Sequence, residues 1–265
     1  MDAIALLLVL AAAVFRAVWN VTLHGTVDRV ATMAVAALGG AVLLSPWIIA
    51  QPPVEAAAFL LPSVAAQTVY ALALSAAYQR GALAFTYPVG RGTSPVLVTL
   101  GGWLLLGQGP GLTGLAGAAL VASGLAVLAQ RAGRVGQAHA VGFALLVGGA
   151  IASYSLVDAA AVQLVAPAGY LGAVLGIHGV VLTAGARLGP ARLKASLGPG
   201  LRVAVGSVAA YLLVLMAFQR GDAGPVATLR ELSVILGVFL AREHPGWRAW
   251  CGAILCATGA VLAAL

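Results

Sequence analysis

Residues 117–129 read GAALVASGLAVLA, and residues 252–264 read GAILCATGAVLAA. Set over each other at an offset of 135 residues, glycine meets glycine twice and every other position is small or apolar in at least one copy. Such a recurrence at half the length of a 265-residue chain points to an internal duplication. Working outward, YQRG at 78–81 matches FQRG at 218–221, and GQGPG at 107–111 echoes REHPG at 242–246. Trp19 and Asn20 fall over Tyr154 and Ser155 at the same offset of 135, while Arg91 and Ser94 fall over Arg230 and Ser233 at an offset of 139. The change of offset leaves about four residues fewer between Ser233 and Glu243, roughly one helical turn. The chain therefore reads as two repeats, residues 1–132 and 133–265.

Composition fixes the solvent. Hydrophobic residues make up 62% of the chain and charged residues 8%, against about 25% charged in a soluble domain. A compact chain of this length needs a wetted surface, so most of its exterior is predicted to face lipid. The 34 glycines suit closely packed membrane helices. The net charge of +7 is scattered over short loops with no basic stripe, which excludes nucleic acid as the expected partner. Cys251 and Cys256 point in different directions on one helix and form neither a disulfide pair nor a metal-ligand spacing, so no metal or cofactor is expected. The start, MDAIALLLVLAAAVFRAVWN, lacks a basic n-region and reads as a first membrane helix, not a cleaved leader.

A spanning helix needs about 20 mostly apolar residues. Gly- and Pro-rich breaks then divide the chain into helices near 3–23, 30–50, 61–79, 83–106, 112–130, 139–160, 167–187, 201–220, 223–241 and 247–265. The predicted fold is all-α: a polytopic membrane protein of ten transmembrane helices. Five helices per repeat force the second repeat to enter the membrane from the opposite side. Inverted repeats of this kind build secondary transporters with a site near the midplane. Arg91 and Arg230 would flank that midplane from opposite sides.

Several motifs carry a family resemblance. YP..RG.SP in the fourth helix and GPVATLRE.SV in the ninth, with the helix ends LLLGQ and LAREH, resemble the drug/metabolite transporter superfamily in its EamA-type branch. FRAVWN at 15–20 resembles a first-helix motif of one subgroup that usually carries His where this chain has Arg16, and Gln108 stands where the family usually has glutamate. The resemblance spans the chain. It implies ten helices and transport of small metabolites, often export, commonly of amino acids or related solutes.

Among residues that carry chemistry, Arg91 and Arg230 stand first. A cation facing lipid costs about 2.5–3.5 kcal/mol on insertion scales. Each is expected either to grip a carboxylate or phosphate in a wet cavity, or to form a structural ion pair with Asp158, Glu231 or the other repeat. Pro88, Gly90, Gly92 and Pro95 predict a kink or partial unwinding of the fourth helix at Arg91. Glu231 is either a proton carrier or the neutraliser of an arginine on another helix, and Asp158 is a second candidate for the same role. Arg16, Trp19 and Asn20 share a helix face, so Trp19 offers a stacking surface and Asn20 a hydrogen bond. Tyr87, Ser94, Tyr154, Ser155, Tyr211 and Ser233 offer neutral hydrogen bonds, and His178 reads as a packed residue. The predicted substrate-binding set is Arg91, Arg230, Trp19, Asn20, Tyr87, Ser94, Tyr154 and Ser233, with Glu231 and Asp158 for proton coupling.

Lys and Arg in alternate loops divide ten against one, with Arg220 alone in the minority set. The positive-inside rule then puts both termini outside the cytoplasm; the resemblance implies the reverse, and the charge count is preferred. The functional expectation is a secondary transporter of the inner (plasma) membrane, an exporter or exchanger of a small metabolite by alternating access. Membrane lipids and a small-molecule substrate are its expected partners, and it is expected to be a monomer or homodimer. The alternatives are a lipid-linked-sugar flippase and an intramembrane enzyme. The chain has no H-E-x-x-H or similar spacing, so an enzyme is not the expectation.

Overall fold

The computed structural model describes residues 1–79, 83–129, 137–233, 236 and 247–265. Among them there is no strand, and twelve helices follow in order. These are α1 (Ala3–His24), α2 (Arg29–Leu43), α3 (Ser45–Ala50), α4 (Ala57–Gln79), α5 (Leu83–Leu106) and α6 (Leu112–Ala129), then α7 (Gln137–Ala161), α8 (Pro167–Gly185), α9 (Pro190–Ala195), α10 (Leu197–Phe218), α11 (Ala223–Leu229) and α12 (Trp247–Ala264). Five segments, Ala3–Leu23, Ala57–Ala76, Gly142–Ala161, Pro167–Gly185 and Leu197–Phe218, are long and apolar enough to cross a membrane. Leu7, Leu104, Leu105, Val180, Val205, Ile254 and Val261 are exposed. An exterior of this kind fits a membrane protein, since no aqueous surface would leave so many large apolar side chains uncovered.

The helices pack in a few principal pairs: α6 with α12, α5 with α7, α1 with α10, α2 with α8, and α4 with α7. The α6–α12 crossing is closest at glycines. A Cβ on Gly117 would lie 2.6 Å from the Gly259 carbonyl oxygen, and one on Gly124 would lie 2.7 Å from the Gly252 carbonyl oxygen. Residue numbers rise along one helix as they fall along the other, so α6 and α12 run antiparallel. At the centre, the Cys256 thiol donates to the Val121 carbonyl at 3.6 Å. That bond accounts for the buried cysteine without any redox role.

The start of α1 is tied to the end of α10. The Asp2 carboxylate caps α1 by accepting the Ala5 N–H at 2.6 Å, and its other oxygen meets Arg220 at 3.3 Å. Asp28 does the same for α2, accepting the Ala31 N–H at 3.0 Å while pairing with Arg192 at 2.8 Å. Each aspartate thus satisfies an orphan donor at a helix start and pins a neighbouring helix. Gln108 has a comparable role. Its side-chain oxygen accepts the Ala223 N–H at 2.9 Å and caps α11, whose own N-cap, Asp222, makes no side-chain cap.

Four expectations about the helices are corrected. The second helix divides at Leu44 because Pro46 has no N–H for the Val42 carbonyl; Ser45 Oγ donates to that carbonyl instead, at 2.8 Å. The third starts at Ala57, with Pro62 inside it near the N-terminal end. The fourth neither unwinds nor breaks at Arg91: α5 continues through Pro88 and Pro95. There the carbonyl that Pro95 leaves free is that of Arg91, and Ser94 Oγ donates to it at 3.2 Å. The ninth, expected over 223–241, is interrupted: α11 ends at Leu229, Arg230 and Glu231 form a turn, and helical backbone resumes at Leu232 and Ser233. The region from 237 to 246, including the Glu243 helix end, lies outside the described residues.

Candidate functional site

Arg91, carried by α5, and Glu231, after α11, meet where those two helices cross. Arg91 Nε donates to Glu231 Oε2 at 2.6 Å, and both side chains are buried. Arg230 Nε lies 3.4 Å from the other oxygen of the same carboxylate. Adjacent residues on an ideal helix diverge by about 100°, and the turn at 230–231 is what lets Arg230 and Glu231 face one another. Glu231 thus neutralises an arginine from another helix, one of the two roles expected of it. A second buried cluster centres on Asp158 of α7. It accepts from the Tyr170 hydroxyl at 2.7 Å through one oxygen and from the Tyr211 hydroxyl through the other.

Beside these clusters lies a cavity of about 140 Å³. Its wall includes Arg16 and Trp19 from α1, Gln67 and Tyr70 from α4, and Arg91 from α5. Across from these, α7 contributes Tyr154, α8 His178, and α10 Ser207 and Tyr211. The aromatic side chains form an edge-to-face series, Tyr70 to Tyr154 at 6.2 Å and Tyr154 to Tyr211 at 5.8 Å between ring centres. Such pairs hold each ring rigid and present amphipathic surface to a guest. His178 Nδ1 lies 3.1 Å from Thr68 Oγ1.

Of the expected substrate-binding residues, Arg91, Trp19 and Tyr154 line this cavity. Arg230 does not, being fully buried behind Glu231. Asn20 turns back to donate to the Arg16 carbonyl at 2.8 Å, and Ser94 bonds the Arg91 carbonyl. Ser155 likewise donates to the Ile151 carbonyl at 2.6 Å. Ser233 is buried, and its hydroxyl has no partner among the described residues. The Tyr87 side chain lies outside the described residues. Neither Glu231 nor Asp158 reaches the cavity wall, although Tyr211 joins Asp158 to it. The sequence reading passed over Gln67 and Tyr70. Their signal was there, two polar side chains at i and i+3 on one helix, the spacing that had singled out Arg16 and Trp19.

No family model matches the chain, and no curated protein matches it. The fold itself recurs: a solved crystal structure described only as "protein" superposes with a TM-score of 0.73 at 19% identity, covering 98% of each chain. At that identity the likeness concerns architecture alone.

Proposed function

We propose that the protein is a secondary transporter that moves a small metabolite across a membrane by alternating access. In this reading its ten spans form two inverted five-helix repeats, residues 1–132 and 133–265. The observation that carries the proposal is the cavity, whose wall draws cationic, aromatic and neutral polar side chains from both halves. Buried polar side chains in an otherwise apolar bundle mark substrate paths.

The packing supports the repeat. When α1, α2, α4, α5 and α6 are exchanged with α7, α8, α10, α11 and α12, the α1–α10 contact becomes α7–α4, and α5–α7 becomes α11–α1. The α2–α10 contact likewise becomes α8–α4, while α6–α12, α2–α8 and α5–α11 map onto themselves. Under the offset of 135, Gly117 against Gly259 becomes Gly252 against Gly124, and Val121 and Cys256 exchange places. An antiparallel crossing with this self-correspondence is what an inverted repeat requires. These features also fit the drug/metabolite transporter resemblance, EamA-type.

The cavity's size favours a small solute over a lipid-linked sugar, since about 150 Å³ is the volume that accommodates benzene in an engineered protein core. Among the described residues no group of three or more His, Cys, Asp or Glu gathers to hold a metal ion. Asp158, joined to the wall through Tyr211, is the better placed of the two carboxylates for proton coupling. We place the protein in an inner (plasma) membrane with both termini outside the cytoplasm, following the loop charges, and acting as an exporter or exchanger. The test is counterflow into proteoliposomes with a panel of amino acids, amines and organic acids. Saturable exchange of one class, lost in Trp19→Ala and Arg91→Gln, is expected. Translocation of a lipid-linked sugar with no solute exchange would overturn the reading.

A further inference from the structure

This inference rests on the transporter reading and specifies its substrate. Among the described residues, five charged side chains are buried: Arg16, Arg91, Arg230, Asp158 and Glu231. Arginine stays protonated in proteins. Glu231 is shared between Arg91 and Arg230. Asp158 accepts a tyrosine hydroxyl at each oxygen, the bonding pattern of an ionised carboxylate. Three cations against two anions leave an excess of one positive charge.

The Arg91, Arg230 and Glu231 group carries one net positive charge and Asp158 one negative, while Arg16 is the buried cation with no carboxylate of its own among the described residues. Its side chain is 5% exposed and lines the cavity. No carboxylate among the described residues lies within ion-pair distance of it, and its Nε has no hydrogen-bond partner there. A guanidinium held in apolar surroundings without a counter-charge is costly, and the cavity is the one side from which a ligand can supply it. One turn along the same helix, Trp19 borders the same space, with Tyr70 and Tyr154 beyond it. These are surfaces for a planar or apolar body, and the other cation of the wall, Arg91, is already paired with Glu231.

We propose that the substrate is a small monocarboxylate whose carboxylate pairs with Arg16 and whose apolar body rests on Trp19 and Tyr154. A monoanion cancels the buried excess. A zwitterion brings no net charge, an amine adds to the excess, and a dicarboxylate overshoots it. The assignment moves anion recognition from Arg230, which Glu231 already engages, to an arginine of the first helix.

The test uses the full chain, purified in detergent, and equilibrium dialysis with benzoate as the probe and benzamide as its uncharged counterpart. Benzylamine, alanine and succinate serve as competitors. Saturable benzoate binding is expected, with benzamide at least about tenfold weaker. Arg16→Gln should weaken benzoate by at least about tenfold and leave benzamide unchanged, while Arg16→Lys keeps part of the preference. Equal binding of benzoate and benzamide to the wild-type chain overturns the proposal, and this comparison stands even if Arg16→Gln does not fold. A preference that survives Arg16→Gln also overturns it. Parallel uptake measurements in proteoliposomes separate the two readings. Flux of another solute without benzoate binding removes the substrate assignment and leaves the transporter. Charge-selective benzoate binding with no flux of any solute does the reverse.

Discussion

Helix α5 runs unbroken through Arg91 over its 24 residues, whereas α11 stops after seven and leaves Arg230 and Glu231 in a turn before helical backbone resumes. The two arginines occupy matching positions in the two halves, but only one of the halves supplies an acid. The reason lies in local packing. At the offset of 139, Gly92 stands opposite Glu231, and a Cβ on Gly92 would lie 3.2 Å from the Leu125 Cβ and 3.3 Å from the Ala122 carbonyl oxygen. The first half has no room for a carboxylate there. One carboxylate then serves two guanidinium groups, from a turn at residues 230–231 that interrupts the helix. Under the proposed repeat the two positions are equivalent, and packing decides which of them can hold a charge.

The sharpest way to break this comparison is Glu231→Gln. Two buried guanidinium groups would lose their counter-ion, a change that costs about 3–5 kcal/mol. We expect a large fall in melting temperature in detergent, partly recovered when Arg230→Gln is added. An unchanged melt would mean that the shared carboxylate is not what holds the crossing. Next comes the place where the halves are alike. Gly259→Ala would put a Cβ 2.6 Å from the Gly117 carbonyl oxygen and 2.8 Å from the Val121 nitrogen. It should destabilise by about 1–3 kcal/mol, while Gly109→Ala, with nothing within 4 Å, should be close to neutral. Monodispersity on size exclusion after heating distinguishes the two.

A smaller effect tests why α5 stays whole. Ser94→Ala leaves the Arg91 carbonyl without its donor and should cost about 1 kcal/mol. In a Pro95→Ala background the restored N–H takes over, so the same substitution should cost less; equal costs in both backgrounds would rule out this role for the serine. Smallest of all is Asp28→Asn, up to about 1 kcal/mol for an exposed pair. The hydrogen bond from Arg192 holds the Asp28 carboxyl below the usual carboxylate range, with the Ala31 N–H adding to it against partial burial. A lowered folded-state value means the stabilisation is complete above the unfolded value of about 4 and fades as pH falls through the folded one. The melting difference between wild type and Asp28→Asn should therefore shrink between about pH 6 and about pH 3. A difference that grows in acid would contradict the pairing.

The helical class and most helix positions were legible, because runs of apolar residues bounded by Gly and Pro leave few alternatives in lipid. Proline was passed over as a break at Pro46, where the helix divides, and read as one around Pro95, where α5 continues, although the same Ser-Pro dipeptide and the same serine bond occur at both. The outcome at Pro95 is set by the helices around α5, and a local reading of the chain carries no trace of them. The site divided along similar lines. Arg91, Trp19 and Tyr154, singled out by charge and repeat symmetry, line the cavity, whereas Arg230, singled out in the same way, lies beside Glu231 and away from it. Arg16 stood in a quoted motif, yet its lack of a counter-ion emerges only when the distant carboxylates are seen to be engaged elsewhere.

The placement of the indoles has a spectroscopic consequence. Trp47, Trp103, Trp247 and Trp250 are each about half exposed or more on the outside, while Trp19 alone of the five borders the cavity. A guest entering that space changes the surroundings of one emitter and leaves four as a constant background, so the protein carries an intrinsic fluorescence reporter of its own occupancy.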